Sequence, residues 1–109
     1  MRKGESEWLV GWTPISKADI LEIGSYVSRI ASHATAESLM LSIHSAGEGL
    51  LRHPYLWRAR DDVLKEVRFA PLRSYFICYR IKATTIEILR IIHQKRDVAA
   101  LFADIDTQI

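Results

Sequence analysis

The spacing of apolar positions changes along the chain, and each change marks an element. Trp8-Leu9-Val10-Gly11-Trp12 is an aromatic and β-branched run closed by Thr13-Pro14, and reads as a first strand. Thr13 is placed to cap a helix whose first position is Pro14, where the missing N–H of proline costs nothing. From there Ile15, Ala18, Leu21, Ile23, Val27 and Ile30 recur at helical spacing, with Asp19 and Glu22 near the positive end of the helix dipole and Arg29 near the other. A break at His33-Ala34 predicts a second helix beginning near Thr35, with Ala36, Leu39, Met40, Ile43, Leu50 and Leu51 on one side and Pro54 fixing its end. Gly47 and Gly49 each cost roughly 1 kcal/mol relative to alanine inside a helix, so this helix is expected to fray or bend there, or to let another backbone come close.

After a loop from His53 to Asp62 the period falls to two. Strands are predicted over Val63–Phe69, Tyr75–Lys82 and Thr85–His93, antiparallel because the turns between them are short. In the second, Tyr75, Ile77, Tyr79 and Ile81 alternate with Phe76, Cys78, Arg80 and Lys82; in the third, Ile86, Ile88 and Ile92 are expected to share a face with Arg90. Both faces are largely apolar. The helical hairpin accounts for one, and the other must be met by something else, a partner included, or stay partly exposed. Val98–Ile105 predicts a short helix before an acidic tail. The chain therefore reads as one α+β domain over residues 1–109, with 1–7 flexible: an N-terminal strand, a helical hairpin, a three-stranded antiparallel meander completing one sheet, and a short C-terminal helix.

Composition narrows the setting. Apolar residues make up 49 % of the 109 and charged residues 26 %, a globular balance that excludes disorder. The one cysteine, Cys78, lies in an apolar strand, so no internal disulfide forms, and a small core hydrophobe in a reducing compartment is expected. Residues 1–7 are polar and of both charges, without the apolar centre of an export signal, and no run approaches the roughly 18 apolar residues of a membrane span. A cytoplasmic protein without membrane attachment is expected. The net charge of +2 conceals an asymmetry: Arg52–Arg96 holds eleven basic and four acidic residues, whereas both flanks are acidic. A partner carrying negative charge is steered to that middle segment. His33, His44 and His53 have no metal-ligand spacing with a cysteine or carboxylate, so no metal or other cofactor is expected. Trp8, Trp12 and Trp57 are expected to anchor core and hairpin rather than to stack on bases.

Lys65-Glu66-Val67-Arg68, then Tyr75-Phe76-Ile77-Cys78-Tyr79-Arg80-Ile81, then Ile86 to Ile92 followed by His93-Gln94-Lys95-Arg96-Asp97, is similar in order and spacing to the three closing strands of the RelE/ParE toxin superfamily. Trp12-Thr13-Pro14 ahead of a helix with Asp19 and Ile23, and Leu50-Leu51 ahead of Pro54, resemble that family's opening strand and hairpin. The resemblance runs from about Trp12 to Phe102. It implies a bacterial toxin held inactive by a cognate antitoxin that covers apolar surface, with homodimer and toxin–antitoxin hetero-oligomer both open. Two targets follow: ParE-like members poison DNA gyrase, and RelE-like members cut messenger RNA on the ribosome.

An RNA-cutting toxin needs a base for the ribose 2′-hydroxyl, a cation for the phosphorane-like charge and an acid for the leaving oxygen. Lys65, Arg68, His93 and Arg96 are the candidates, beside Glu66, Arg73 and Lys95. The resemblance argues against that chemistry, because the nuclease branch commonly has an arginine where this chain has Phe76, and a tyrosine or histidine-tyrosine pair where it has Phe102, or Gln94 after His93. The ending His93-Gln94-Lys95-Arg96-Asp97 looks more like the ParE branch, which favours a gyrase-directed toxin that is not an enzyme. The surface expected to meet the target or the antitoxin comprises Arg68, Arg73, Arg80, Arg90, His93, Lys95 and Arg96, unless these form only a solvated face. Arg90 between Ile88 and Ile92 calls for a carboxylate mate, with Glu66, Glu87 or an antitoxin side chain as candidates. A basic nucleic-acid-binding module without toxicity is the rival of another class, although no recognition helix, glycine-rich loop or aromatic strand doublet supports it.

Overall fold

Thr13 starts the fold by doing two things at once. Its hydroxyl accepts a hydrogen bond from the Ser16 amide at 3.1 Å, capping helix α1 (Pro14–Ile30). The same hydroxyl donates to the Leu89 carbonyl at 3.2 Å, and the Thr13 amide donates to the Ile88 carbonyl at 3.2 Å. The end of strand β1 (Leu9–Trp12) and the start of α1 are thereby fixed against strand β4 (Thr85–His93). The computed structural model describes residues 8–96 together with Val98, Ala100 and Phe102. The expected flexible segment 1–7 lies outside the described residues. The helix expected over Val98–Ile105 lies only partly inside them, with helical backbone at Val98, Ala100 and Phe102.

Helix α2 (His33–Gly49) begins two residues before the expected Thr35. The break falls at Ser32, whose hydroxyl accepts from the Thr35 amide at 3.0 Å; a serine cap satisfies that donor, which neither His33 nor Ala34 does. The helix stops at Gly49, so Leu50 turns into the core and Leu51 is exposed, not side by side on one helix face as expected. Gly47 does admit a close approach, but of a side chain: a Cβ there would lie 2.4 Å from the Trp12 indole. That indole stacks on His44 at 5.3 Å and donates from Nε1 to Glu48 at 2.8 Å, pinning β1 to α2.

The remaining strands are β2 (Arg68–Leu72) and β3 (Tyr75–Lys82), and the sheet order is β1-β4-β3-β2. β2, β3 and β4 form the expected antiparallel meander, and β1 joins β4 in parallel, as a strand returning through a helical crossover does. The strand expected over Val63–Phe69 is displaced to Arg68–Leu72. Residues 60–67 form a tight turn instead, closed by Arg60 N–H to the Val67 carbonyl (2.6 Å) and Glu66 N–H to the Asp61 carboxylate (2.6 Å), with Glu66 at φ 63°. Pro71 is tolerated because β2 is an edge strand.

A bulge decides which side chains share a face. Cys78 pairs with Arg90 and Tyr79 with Ile88, so Leu89 is extra and the alternation of β4 slips by one. Arg90 and Ile92 therefore leave the face of Ile86 and Ile88 that simple alternation assigns them. Ile43, Ile77, Tyr79, Ile86, Ile88 and Ile91 build the core beneath the helices, with Trp8, Trp12 and Trp57 packed at its margin. The opposite face, expected to be met by something else or to stay partly exposed, is covered within the chain: Leu64 and Val67 from the turn and Phe102 close over Phe69, Cys78, Leu89 and Ile92.

The connection between α2 and β2 is tied to the sheet by Tyr79, whose hydroxyl donates to the Pro54 carbonyl at 2.8 Å. Burial pushes the Tyr79 phenol up to about 12 from 10.0. The unfolded chain then loses this proton first, so its contribution is complete below about pH 10 and disappears as pH rises through 12. Alkaline unfolding followed by circular dichroism should show stability falling across that window, and Tyr79→Phe should flatten the fall. Gly47→Ala should cost about 1–3 kcal/mol in urea unfolding through the Trp12 clash, whereas Gly49→Ala, which meets nothing within 4 Å, should gain up to about 1 kcal/mol. Cys78 is fully buried and burial raises its thiol pKa, so a thiol reagent should label it only upon unfolding.

Candidate functional site

β1 ends opposite Ile88, which leaves the outer edge of β4 from Leu89 onward without a strand neighbour. Helix α1 supplies the missing acceptor. Asp19 accepts from the Ile91 amide at 2.9 Å and from both Nε (2.8 Å) and Nη2 (3.0 Å) of Arg90. The two side chains are only 19 % and 13 % exposed, and hydrogen bonding to Asp19 raises the Arg90 pKa above its ordinary value. The mate of Arg90 is thus Asp19, not Glu66 or Glu87. Glu66 is exposed on the turn, and Glu87 sits across the ladder from Arg80 at 3.4 Å.

Beside this junction a groove of about 650 Å³ runs between the C-terminal half of α1 and the ends of β3 and β4. Helix α1 contributes Glu22, Tyr26 and Arg29, β3 contributes Tyr75, and His93 and Arg96 close the far end. His93 meets Tyr75 edge-on at 5.3 Å, and its Nδ1 accepts from the Lys95 amide at 3.1 Å. A neutral His93 in that arrangement carries its proton on Nε2, and so donates rather than accepts at its outer nitrogen.

Gln94 joins two loops into one surface. Its amide donates to the Ser74 carbonyl at 2.8 Å, and its Nε2 donates to the carbonyls of Arg73 and Tyr75 at 3.0 Å each. Arg73 occupies the left-handed region at φ 55°, a strained position for a non-glycine residue, in the tight turn between β2 and β3. The result places Arg73, His93, Lys95 and Arg96 at one end of the sheet, with the Arg73 guanidinium reaching Ser42 of α2 at 3.3 Å. Among the described residues, no acid forms an ion pair with Arg29, Arg73, Lys95 or Arg96.

The other basic candidates lie elsewhere. Arg68 donates to the Trp57 carbonyl and stacks its guanidinium 5.1 Å from the Tyr55 ring centre, holding the α2–β2 connection. Arg80 faces Glu87 toward the opposite end of β3, and Lys65 is exposed on the 60–67 turn. No group of three His, Cys, Asp or Glu side chains that could hold a metal is present among the described residues, and no described helix is long and apolar enough to cross a membrane. The arrangement can bind anions.

The family model described as the ParE toxin of the type II toxin–antitoxin system parDE matches residues 10–98. The chain belongs to the ParE toxin family. A solved structure described as the chromosomal ParDE TA system from P. aeruginosa has a chain that superposes with a TM-score of 0.71; 22 % of residues are identical, and the match covers 79 % of this chain and 95 % of that one. That likeness establishes a shared fold. No curated protein matches the sequence.

In this ParE-family toxin, two positions that the resemblance contrasts with the nuclease branch are apolar and packed. Phe76 lies against Phe69 at 5.3 Å and Phe102 is buried against the same ring at 5.8 Å. Sequence reasoning missed Asp19 as a site-forming residue, although one signal was available: it interrupts the apolar series Ile15, Asp19, Ile23 at helical spacing, where a carboxylate needs a partner. Gln94 carried no such signal, because its bonding partners lie 19 to 21 residues away. Asp19→Ala should destabilise the toxin by about 2–3 kcal/mol in urea, since it orphans both a guanidinium and a strand amide. Asp19→Asn, which keeps an acceptor for Ile91, should cost clearly less; equal losses would show that the carboxylate charge alone matters.

Proposed function

We propose that this ParE-family toxin acts without cutting RNA, by docking on DNA gyrase through the cationic end of the sheet formed by Arg73, His93, Lys95 and Arg96, and that a cognate antitoxin holds it silent. The observation that carries the reading is the composition of that end: cations that pair with no described acid, gathered by Gln94, around a histidine whose outer nitrogen is a donor. Such a surface attracts a negatively charged partner, and a neutral His93 donates to it rather than accepting a proton. Of the nuclease candidates His93 and Arg96 share the groove, whereas Arg68 is held by Trp57 and Tyr55 and Lys65 lies on the turn before β2. For the antitoxin, support comes from the family itself and from exposed Leu21, Leu41, Leu51 and Leu56, apolar groups that a partner can cover.

Expressed alone in a bacterium, the chain should arrest growth, and co-expression of a small neighbouring reading frame should relieve the arrest. Freed of antitoxin, the purified toxin should inhibit gyrase supercoiling or trap cleaved DNA while leaving messenger RNA on translating ribosomes intact. The triple variant Arg73→Ala, Lys95→Ala, Arg96→Ala should lose at least about tenfold in potency with an unchanged circular dichroism spectrum. Arg90 is left intact because its guanidinium belongs to the Asp19 junction. Message cut at the ribosome with gyrase untouched would hand the function to the RelE-type mechanism.

A further inference from the structure

The groove between α1 and the end of β4 holds more hydrogen-bond donors than its own architecture uses. Arg90 is committed to Asp19, but Arg29 in the last turn of α1 and Arg96 beyond β4 line the same groove, both exposed and without an ion pair to a described acid. Between them stands His93, whose Nδ1 is already satisfied by Lys95, so that the ring offers Nε2–H. Tyr75 adds a phenol that burial keeps neutral, with its O–H available as a donor. The Arg29 guanidinium lies over the Tyr26 ring, 5.8 Å from its centre, which restricts the guanidinium fork, and Tyr26 itself is 51 % exposed.

We infer that this groove is a phosphate site, and that its ligand is a phosphate of a nucleotide chain whose base rests against Tyr26. Two guanidinium forks and an imidazole N–H form a donor set that suits the non-bridging oxygens of a phosphate. Glu22 on the groove wall sets a like charge against any anion, and a base resting on Tyr26 adds an aromatic contact that a carboxylate ligand lacks. The volume of about 650 Å³ accommodates one nucleotide unit, within the usual range of small-ligand sites. Stacking on an exposed aromatic ring beside a cationic groove is how single strands are held without sequence preference. The place of this site in the toxic cycle rests on the reading of this end as the target-facing surface; the binding itself does not.

The test is nuclear magnetic resonance on the intact chain, titrated at constant ionic strength with inorganic phosphate, adenosine monophosphate, an oligothymidylate of about eight nucleotides and hexaglutamate. Phosphate should shift the Arg29 and Arg96 Nε–H and the His93 ring signals, saturating in the millimolar range, and the oligonucleotide should bind at least about tenfold more tightly than phosphate. Arg29→Ala with Arg96→Ala should weaken oligonucleotide binding about tenfold while leaving the fold's circular dichroism unchanged. Tyr26→Leu should weaken the oligonucleotide and leave inorganic phosphate as it was. Monophosphate binding as tightly as the oligonucleotide would name a free nucleotide as the source of the same chemistry. The inference is overturned if phosphate moves these signals no more than chloride does, or if hexaglutamate binds more tightly than the oligonucleotide. Absence of growth arrest with phosphate binding intact would sink the toxin reading alone.

Discussion

The carboxylate of Asp19 is the constraint on which the rest of this end of the molecule depends. A sheet whose first strand stops at Trp12 leaves β4 with an edge amide at Ile91 and a partly buried guanidinium at Arg90, and each is costly without a partner. One side chain satisfies both, and it comes from the helix that leaves that first strand. Helix α1 is thereby locked at a fixed angle and height along β4, and its last turn, with Tyr26 and Arg29, is carried to the far end of the strand. The groove lies beyond the point where Asp19 ties α1 to β4.

The bulge at Leu89 works with that junction. Without the extra residue, Arg90 and Ile92 would point into the helix-side core with Ile86 and Ile88; with it, Ile92 closes the opposite core against Phe76 and Phe102, and Arg90 reaches the edge where Asp19 waits. The single slip thus serves both layers. It also explains how a strand apolar on both faces is buried without a second protein, since the 60–67 turn and Phe102 come from this same chain.

Charge is distributed by the same logic. The middle of the sequence is strongly basic, yet the fold divides its cations into those that hold structure and those that remain available. Arg68 braces the connection after α2, Arg80 and Arg90 are paired across the ladder and to the helix, and Arg73, Lys95 and Arg96 are left at one end. That last group stands with His93 and Arg29 at one end of the molecule, and no described acid forms an ion pair with its cations. Gln94 keeps that group together by bonding carbonyls on the neighbouring turn, so the functional surface depends on a neutral residue that contributes no charge of its own.

Local chemistry was legible without coordinates. The cap at Thr13, the proline that starts α1, the helical and twofold periods, the turns of the meander and the buried cysteine all follow from neighbours within a few residues, where spacing fixes what can touch. Three features were not legible, two because rival local bonds decide them and one because it joins residues far apart. Ser32 took the helix cap from the His33-Ala34 break because its side-chain bond outweighed the periodicity of the residues after it. The 60–67 segment, strand-like in its apolar content, became a turn because Asp61, Glu66 and the Arg60 and Val67 backbone satisfy one another there. Arg90 found its carboxylate 71 residues away, since the sequence specifies which groups must be neutralised but not which of several acids the packing brings within reach. The sequence by itself determined the elements and the need for partners; the tertiary structure chose the partners, because only close packing decides which buried donor meets which acceptor.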